Sequence, residues 1–305
     1  MQTTVSSKKT RLTRAARGEE RAAWMFLFPS VLGFICFVFI PMLMTLGISF
    51  TKYNVITPPQ WTGAKNWIHL TLDKRLLTTL GNSAKYVLLL VPMHTLMSLL
   101  LALGVNAMKS RHTVFVFRTI YYFPTLIATS SVAMVWVHIF NYDYGLLNYA
   151  LSLFGIAPIT WLKSSFWVYP ATMIFSLWKF VGGYFLYFLI GLQGIDRTYL
   201  EAAEIDGASS LQKLRHVTLP LLSPTTFFIM ITQMIGTIQI FDEPYLITGG
   251  GPGDASRSIS MYIHNMAYNS HNYGYAAAMS LLLLVIVLIV TLIQFKGSNW
   301  VNYDR

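Results

Sequence analysis

Six long apolar runs alternate with polar stretches along the chain, at about residues 24–50, 78–107, 119–140, 165–192, 221–241 and 275–295. A bilayer core takes about 20 predominantly apolar residues in a single helix, so each run predicts one membrane-spanning helix. The last is the cleanest, with no charge from Ala276 to Phe295. Pro29, Pro41 and Pro92 fall inside runs, which a bilayer tolerates because neighbouring helices re-satisfy the freed backbone groups. Polar loops are predicted at 51–75, at 141–164 and at 242–274, with a short return loop bracketed by Lys109, Arg111 and Arg118. Residues 1–23 hold Lys8, Lys9, Arg11, Arg14, Arg17 and Arg21 among few apolar residues and read as a disordered basic tail. With no internal duplication, residues 24–305 read as one all-α transmembrane domain of six helices.

One stretch between the fourth and fifth runs is polar, charged and helix-coded: residues 198–220. Thr198 and Glu201 have the spacing of a capping box, which opens a helix by satisfying its free N–H groups. Gly207 suits the left-handed residue that ends a helix. Ser209 and Gln212 repeat the box, and Pro220 suits the first turn of the next apolar segment. The pattern predicts helix, sharp turn, helix and a rigid join to the fifth span. Ala202 and Ala203 leave one face small.

Composition supports the membrane reading. The chain is 54% hydrophobic and 11% charged, against about 25% charged in soluble domains. Its net charge of +10 would suit nucleic acid, but the basic residues cluster at the ends of apolar runs. With the amino terminus inside, the cytoplasmic segments carry fourteen Lys and Arg and the outer loops six. That bias predicts both termini, and residues 193–220, in the cytoplasm. The first run is too long for a signal h-region. Cys36, inside it, is the single cysteine, so no intrachain disulfide forms and a buried, inert thiol is expected.

Glu201-Ala202-Ala203, then Gly207, Val217 and Leu219-Pro220 resemble the EAA coupling loop of ABC-importer permeases; Val217 stands where the family usually has Ile. Asp206 to Ser209 and Thr248 to Pro252 are similar to the carbohydrate-uptake branch, the maltose and glycerol-phosphate type. The resemblance is strongest over 165–255. It implies a type I importer permease in the plasma (inner) membrane of a prokaryote, carrying a sugar or polyol. The implied partners are a second homologous permease, two ATPase subunits and an extracytoplasmic solute-binding protein, with no nucleic acid. Residues 198–216 would dock on an ATPase: Glu201 as a charged contact, Ala202 and Ala203 for close approach, Asp206 and Gly207 at the turn, Leu219 and Pro220 at the join.

The chain has no Gly-rich loop ending in Gly-Lys-Ser/Thr, so ATP and Mg²⁺ would be used by partner subunits, and no cofactor is expected on this chain. Gly249 to Gly253 lack a Lys and open no predicted helix, so an outer turn is expected. Lys85 sits near a span end where it can snorkel, whereas Lys179 lies deeper, beside Trp178. The resemblance implies that this region and the fifth span line the central cavity, with Trp178 at a position where a related maltose permease sets an aromatic ring against sugar. Gln233, Thr237 and Gln239 supply hydrogen-bonding groups for hydroxyls, or alternatively glue helices together. Asp242 and Glu243 suit a gate, a docking point or a solvated helix end. His138 and Asp143 have an acyltransferase-like spacing without its flanking motif, and no histidines have metal-ligand spacing. No catalytic residue and no metal ligand is assigned. An importer for another solute class and an ion-coupled carrier using Lys85, Lys179 and Asp242 remain as alternatives.

Overall fold

The computed structural model describes residues 14–301, almost all of them helical. Helix α1 (Arg14–Phe34) runs through a wide π-turn into α2 (Ile40–Ser49), so the expected tail is helical from Arg14 onward; residues 1–13 lie outside those described. A two-residue hairpin, β1 (Thr51–Lys52) with β2 (Gln60–Trp61), leads to α3 (Lys65–Leu72). Helices α4 (Lys74–Asn106), α8 (Val168–Gln193) and α15 (Tyr273–Lys296) are long and apolar enough to cross a bilayer, as is the α1–α2 rod over Ala22–Ser49. Two further spans are bent. Helix α5 (Arg111–Leu126) meets α6 (Thr129–Ile139) at 97°, and the helical segment Ser210–Leu221 meets α12 (Ser223–Ile238) at 62°. Counting each bent pair once gives six spans.

Three of the sequence expectations change. The third run is not one rod: Pro124 sits in the last turn of α5 and Ile127 is extended, so the chain turns there instead of crossing straight. Helix α5 also starts at Arg111, capped by Ser110, which puts Arg118 in the span and not in a loop. The fifth span starts at Ser223, two residues later than drawn, with Pro224 in its first turn. Cys36 is exposed, not buried, because the apolar window of the first span is buried by none of the other described residues; its second half, α2, packs on α15.

The centre of the bundle is the crossing of α4, α8 and α12. Phe185, Phe188 and Leu189 of α8 meet Ala102 and Val105 of α4 and Ile229 of α12 in one buried cluster. Helices α5 and α8 touch backbone to backbone at Gly182, where an added Cβ would lie 1.9 Å from the Tyr121 carbonyl oxygen.

At the end opposite residues 193–220, the distal end, the predicted loops are largely built structure. Within 141–164, α7 (Leu146–Ser152) presents Asn148, whose buried amide donates to the carbonyls of Tyr142 and Ile159 and accepts from Ile159 N–H and Trp161 Nε1. Within 242–274 lie α13 (Asp242–Thr248) and α14 (Ile259–His264). The glycine turn expected at 249–253 is present, with positive φ at Gly249, Gly250 and Gly253. Asn82 of α4 donates to the Asp254 and Arg257 carbonyls, and the Tyr169 hydroxyl of α8 donates to Ala255 O at 2.6 Å. Arg75 grips Asp254 with two bonds of 2.7 and 2.8 Å, and Arg257 completes the cluster. Asp73 caps α4 and accepts from the hydroxyls of Tyr262 and Tyr275. The segment is thereby clamped down over the bundle.

Two predictions follow from this packing. Gly182→Ala should force α5 and α8 apart and lower the thermal midpoint in detergent, an overpacking penalty of about 1–3 kcal/mol; an unchanged midpoint would mean the helices part freely. The Arg75 and Arg257 guanidiniums hold the Asp254 carboxyl below its ordinary range, against the opposing effect of partial burial. A depressed folded value means that the clamp's stabilisation is present above the unfolded carboxyl pKa of about 3.9 and is lost as pH falls below it. Wild type should therefore lose more thermal stability than Asp254→Asn between pH 6 and pH 3.

Candidate functional site

A cavity of about 280 Å³ opens between α4, α8, α12 and the start of α13. Ser176, Phe180 and Tyr184 project from one face of α8 at intervals of four residues, so they form a single stripe along the wall. Across from them stand His94 of α4 and, beyond Gly236, Thr237 and Gln239 of the α12 end. Asp242 and Glu243 close the distal side. His94 Nε2 lies 3.2 Å from the Ser176 carbonyl, which requires the proton on Nε2. The Ser176 hydroxyl donates to Glu243 Oε1 at 3.1 Å. Glu243 is thus turned inward, not a solvated helix end. The Gln239 amide donates to Ile235 O, while its backbone carbonyl accepts from Ser260. Aromatic faces, hydroxyls and carboxylates in one open cavity suit a polyhydroxylated solute, whose ring faces stack and whose hydroxyls donate.

Of the residues singled out from the sequence, Thr237, Gln239, Asp242 and Glu243 line this cavity. Trp178 does not. Two residues beyond Ser176, it points about 200° away around the helix and pairs with Trp136 at 5.5 Å, over a separate apolar groove with Ile127, Val135 and Ile139. Lys179 is 1% exposed and also faces away from the cavity; its ammonium donates to the carbonyls of Ile127 (2.6 Å), Pro124 (2.7 Å) and Thr125 (3.1 Å). Gln233 is 1% exposed, and neither its amide nitrogen nor its oxygen has a hydrogen-bond partner among the described residues. His94, Ser176, Phe180 and Tyr184 were not named as cavity residues from sequence, because which face of α8 looks into the cavity depends on the helices packed beside it. Lys85 packs over the Tyr169 ring at 5.5 Å. Among the described residues no cluster of three His, Cys, Asp or Glu is placed to hold a metal.

The polar stretch folds as two short helices and an elbow. Helix α9 (Arg197–Ile205) is capped by Asp196, not by Thr198: the Asp196 carboxylate accepts from Thr198 N–H at 2.9 Å, and Thr198's donors hold that carboxyl below its ordinary range. Acidic side chains are favoured there by the helix dipole, and Thr198 is already inside the first turn. The helix ends as expected at Gly207, with φ +79°. Ala208 N–H donates to Ala203 O and Gly207 N–H to Glu204 O, which is the Schellman pattern. Both arms of the Ser209–Gln212 box are made, opening α10 (Ser210–Lys213). Lys213 pairs with Glu204 at 3.2 Å across the two helices. A π-turn over Leu214–Thr218 and a single helical turn, α11 (Leu219–Leu221), carry the chain to Leu222, which is fully buried at the elbow before α12. Ile205 is 87% exposed and Leu211 73%, apolar side chains on a charged stretch.

Residues 94–296, about two thirds of the chain, match the family model described as binding-protein-dependent transport system inner membrane component. The chain belongs to this family. The probable ABC transporter permease protein YesP of Bacillus subtilis is 37% identical over 298 residues, 96% of this chain and 95% of that one. The trehalose/maltose transport system permease protein MalF of Thermococcus litoralis is 32% identical over 280 residues, 91% of this chain and 94% of that one. Among solved structures, a chain in the bacterial alginate ABC transporter in complex with alginate pentasaccharide-bound periplasmic protein superposes with a TM-score of 0.81 at 22% identity, over 92% of this chain and 95% of that one. The protein is therefore a membrane permease component of an ABC importer, a transport subunit and not an enzyme.

The unpartnered amide of Gln233 generates a prediction. Replacing a buried, unsatisfied polar group with an apolar one of similar size removes a desolvation penalty of about 1–3 kcal/mol. Gln233→Leu in this permease should keep or raise the thermal midpoint in detergent. A lowered midpoint would reveal a partner for the amide.

Proposed function

We propose that this chain is one of two homologous permease subunits lining the path of an ATP-driven importer for a sugar or related polyol, in the plasma (inner) membrane of a prokaryote. The observation that carries the reading is mechanical: α9 and α10, two capped helices, join through the buried Leu222 elbow to α12, whose far end places Thr237 and Gln239 in the cavity. A pair of partner ATPase subunits, which bind and hydrolyse ATP with Mg²⁺, would push on the first element and thereby move the cavity wall.

In this reading Ile205 and Leu211 supply apolar contact to the ATPase, Glu201 a charged contact, and Ala202 and Ala203 room for close approach. Asp206 and Gly207 set the angle between the two helices, and Leu219 and Pro220 carry the motion into the elbow. Closure of the ATPases rocks the spans about the cavity, which opens alternately to each side. The solute is delivered from an extracytoplasmic binding protein. Carbohydrate is favoured over another solute class by the relatives, including one of the trehalose/maltose system. The lining adds to this: it holds two carboxylates and no Lys or Arg, which suits hydroxyl donors of a neutral solute. Thr237, Gln239, Ser176 and Tyr184 would bind those hydroxyls, with the Phe180 face against a sugar ring, and Gln233 would gain a partner as the wall moves. Lys179 and Trp178 have no solute role here, and an ion-coupled carrier is left without its deep lysine.

Capture of partners tests the assembly: Ala203→Cys in a Cys36→Ser background, cross-linked in membranes, should trap an ATPase subunit, and a chain that moves solute with no ATPase attached would overturn the reading. Gly207→Val places a β-branched residue at φ +79°, a poor fit. Membrane insertion should persist while uptake of the transported sugar falls at least about tenfold, on the order of 1.4 kcal/mol or more in coupling. Unchanged uptake would remove the turn from the mechanism.

A further inference from the structure

The break in the third span leaves the end of a helix inside the membrane region, where no water can serve its last carbonyls. The C-terminal turn of α5 and the extended Ile127 direct three of those oxygens, from Pro124, Thr125 and Ile127, at a single point. That point is occupied by the Lys179 ammonium, with contacts of 2.6 to 3.1 Å. Three N–H donors meet three acceptors, so the group is saturated. No carboxylate among the described residues forms a salt bridge with it. The charge is balanced only by carbonyl dipoles and the negative end of the α5 helix, the arrangement by which broken helices in transporters hold a bound metal cation.

The contact is reciprocal. The Thr125 hydroxyl donates back to the Lys179 carbonyl at 3.1 Å, and one helical turn further on Gly182 lets α8 sit directly on the backbone of Tyr121. The same ammonium lies 5.5 Å from the ring centroid of Phe180, which lines the cavity. One group therefore touches both the elbow of the third span and the aromatic wall of the path.

We propose that Lys179 is a positioning residue: its ammonium acts as a tethered cation that caps the broken end of α5, fixes the 97° elbow between α5 and α6, and sets the Phe180 wall of the cavity against it. The chemistry required is a cation with several N–H donors, not a particular solute. The proposal goes beyond the importer reading and is read on this chain alone, so the failure of one does not disguise the failure of the other.

The test is a dipolar EPR distance across the elbow, in the full-length chain purified with whatever subunits accompany it and placed in lipid nanodiscs. Nitroxides go on Thr119→Cys and Met134→Cys, both on exposed positions either side of the break, in a Cys36→Ser background. Wild type should give one narrow distance. Lys179→Met, which keeps the length and loses the charge, should shift that distance and broaden it as the elbow opens; Lys179→Arg, which keeps a multi-donor cation, should stay close to the wild-type distance. If Lys179→Met leaves the distance unchanged, or if Lys179→Arg opens the elbow as far as Lys179→Met does, the proposal is wrong. Should Lys179→Met not be recovered from membranes, Lys179→Gln, which keeps two N–H donors and loses the charge, decides: a shifted or broadened distance supports the cationic cap and an unchanged one overturns it.

Discussion

A backbone inside a bilayer must find all of its hydrogen-bond partners within the protein, because lipid offers none and each orphaned group costs several kcal/mol. Unbroken helices meet this condition by themselves. The places where this fold departs from unbroken helices are therefore the places where side chains have been recruited to serve backbone. Lys179 serves the end of α5. Asn82 and Tyr169 serve the carbonyls of Asp254, Ala255 and Arg257 in the turn between α13 and α14. Asn148 serves the chain on both sides of α7, at Tyr142 and at Ile159. Remove that constraint and the bent span and the 249–257 turn would each have many shapes instead of one.

The cavity depends on the same logic from the opposite side. Its wall on α8 is a stripe of every fourth residue, while the residues between those positions hold the helix in place: Lys179 and Gly182 toward α5, Phe175 and Phe185 toward the core. A single helix thus separates cavity-facing and structural duties by rotation alone. That is why Ser176, Lys179 and Phe180, close neighbours in sequence, have unrelated surroundings.

Hydropathy and local capping rules read out the parts of the fold that are one-dimensional. The six spans, the Gly207 turn and the Ser209–Gln212 box are set by nearest neighbours along the chain and were legible. Rotational phase was not. Whether position 178 or position 176 faces the cavity depends on which helices lie beside α8, and no periodicity survives in a helix that is apolar all round. The elbow at Ile127 was hidden for a related reason, since its stabilising partner lies more than fifty residues away in sequence. For Glu243 the sequence left a gate, a docking point and a solvated helix end open, because the fifth apolar run stops just before it; in the fold its carboxylate meets Ser176. Cys36 looked buried because an apolar run was equated with an interior, whereas in a membrane protein the apolar surface faces outward as well.

Force applied at α9 and α10 has a short path to the solute side. The two helices are locked to each other by the Schellman turn, the capping box and the Glu204–Lys213 pair, and although that exposed pair is worth little by itself, the caps leave the segment few ways to deform. At Leu222 the direction changes by 62°, and the buried side chain seats the elbow among Phe185, Phe188 and Leu192 of α8. In the proposed mechanism, rotation of the polar stretch about that seat would swing α12 against α8 and move Thr237 and Gln239 relative to Tyr184 and Ser176 across the cavity. The α5–α8 contact is the closer one, with Gly182 directly against the backbone of Tyr121 and Lys179 bonded to three carbonyls. In the proposed mechanism α12 would be the moving wall, and α8, held on α5 by Gly182 and Lys179, the fixed one.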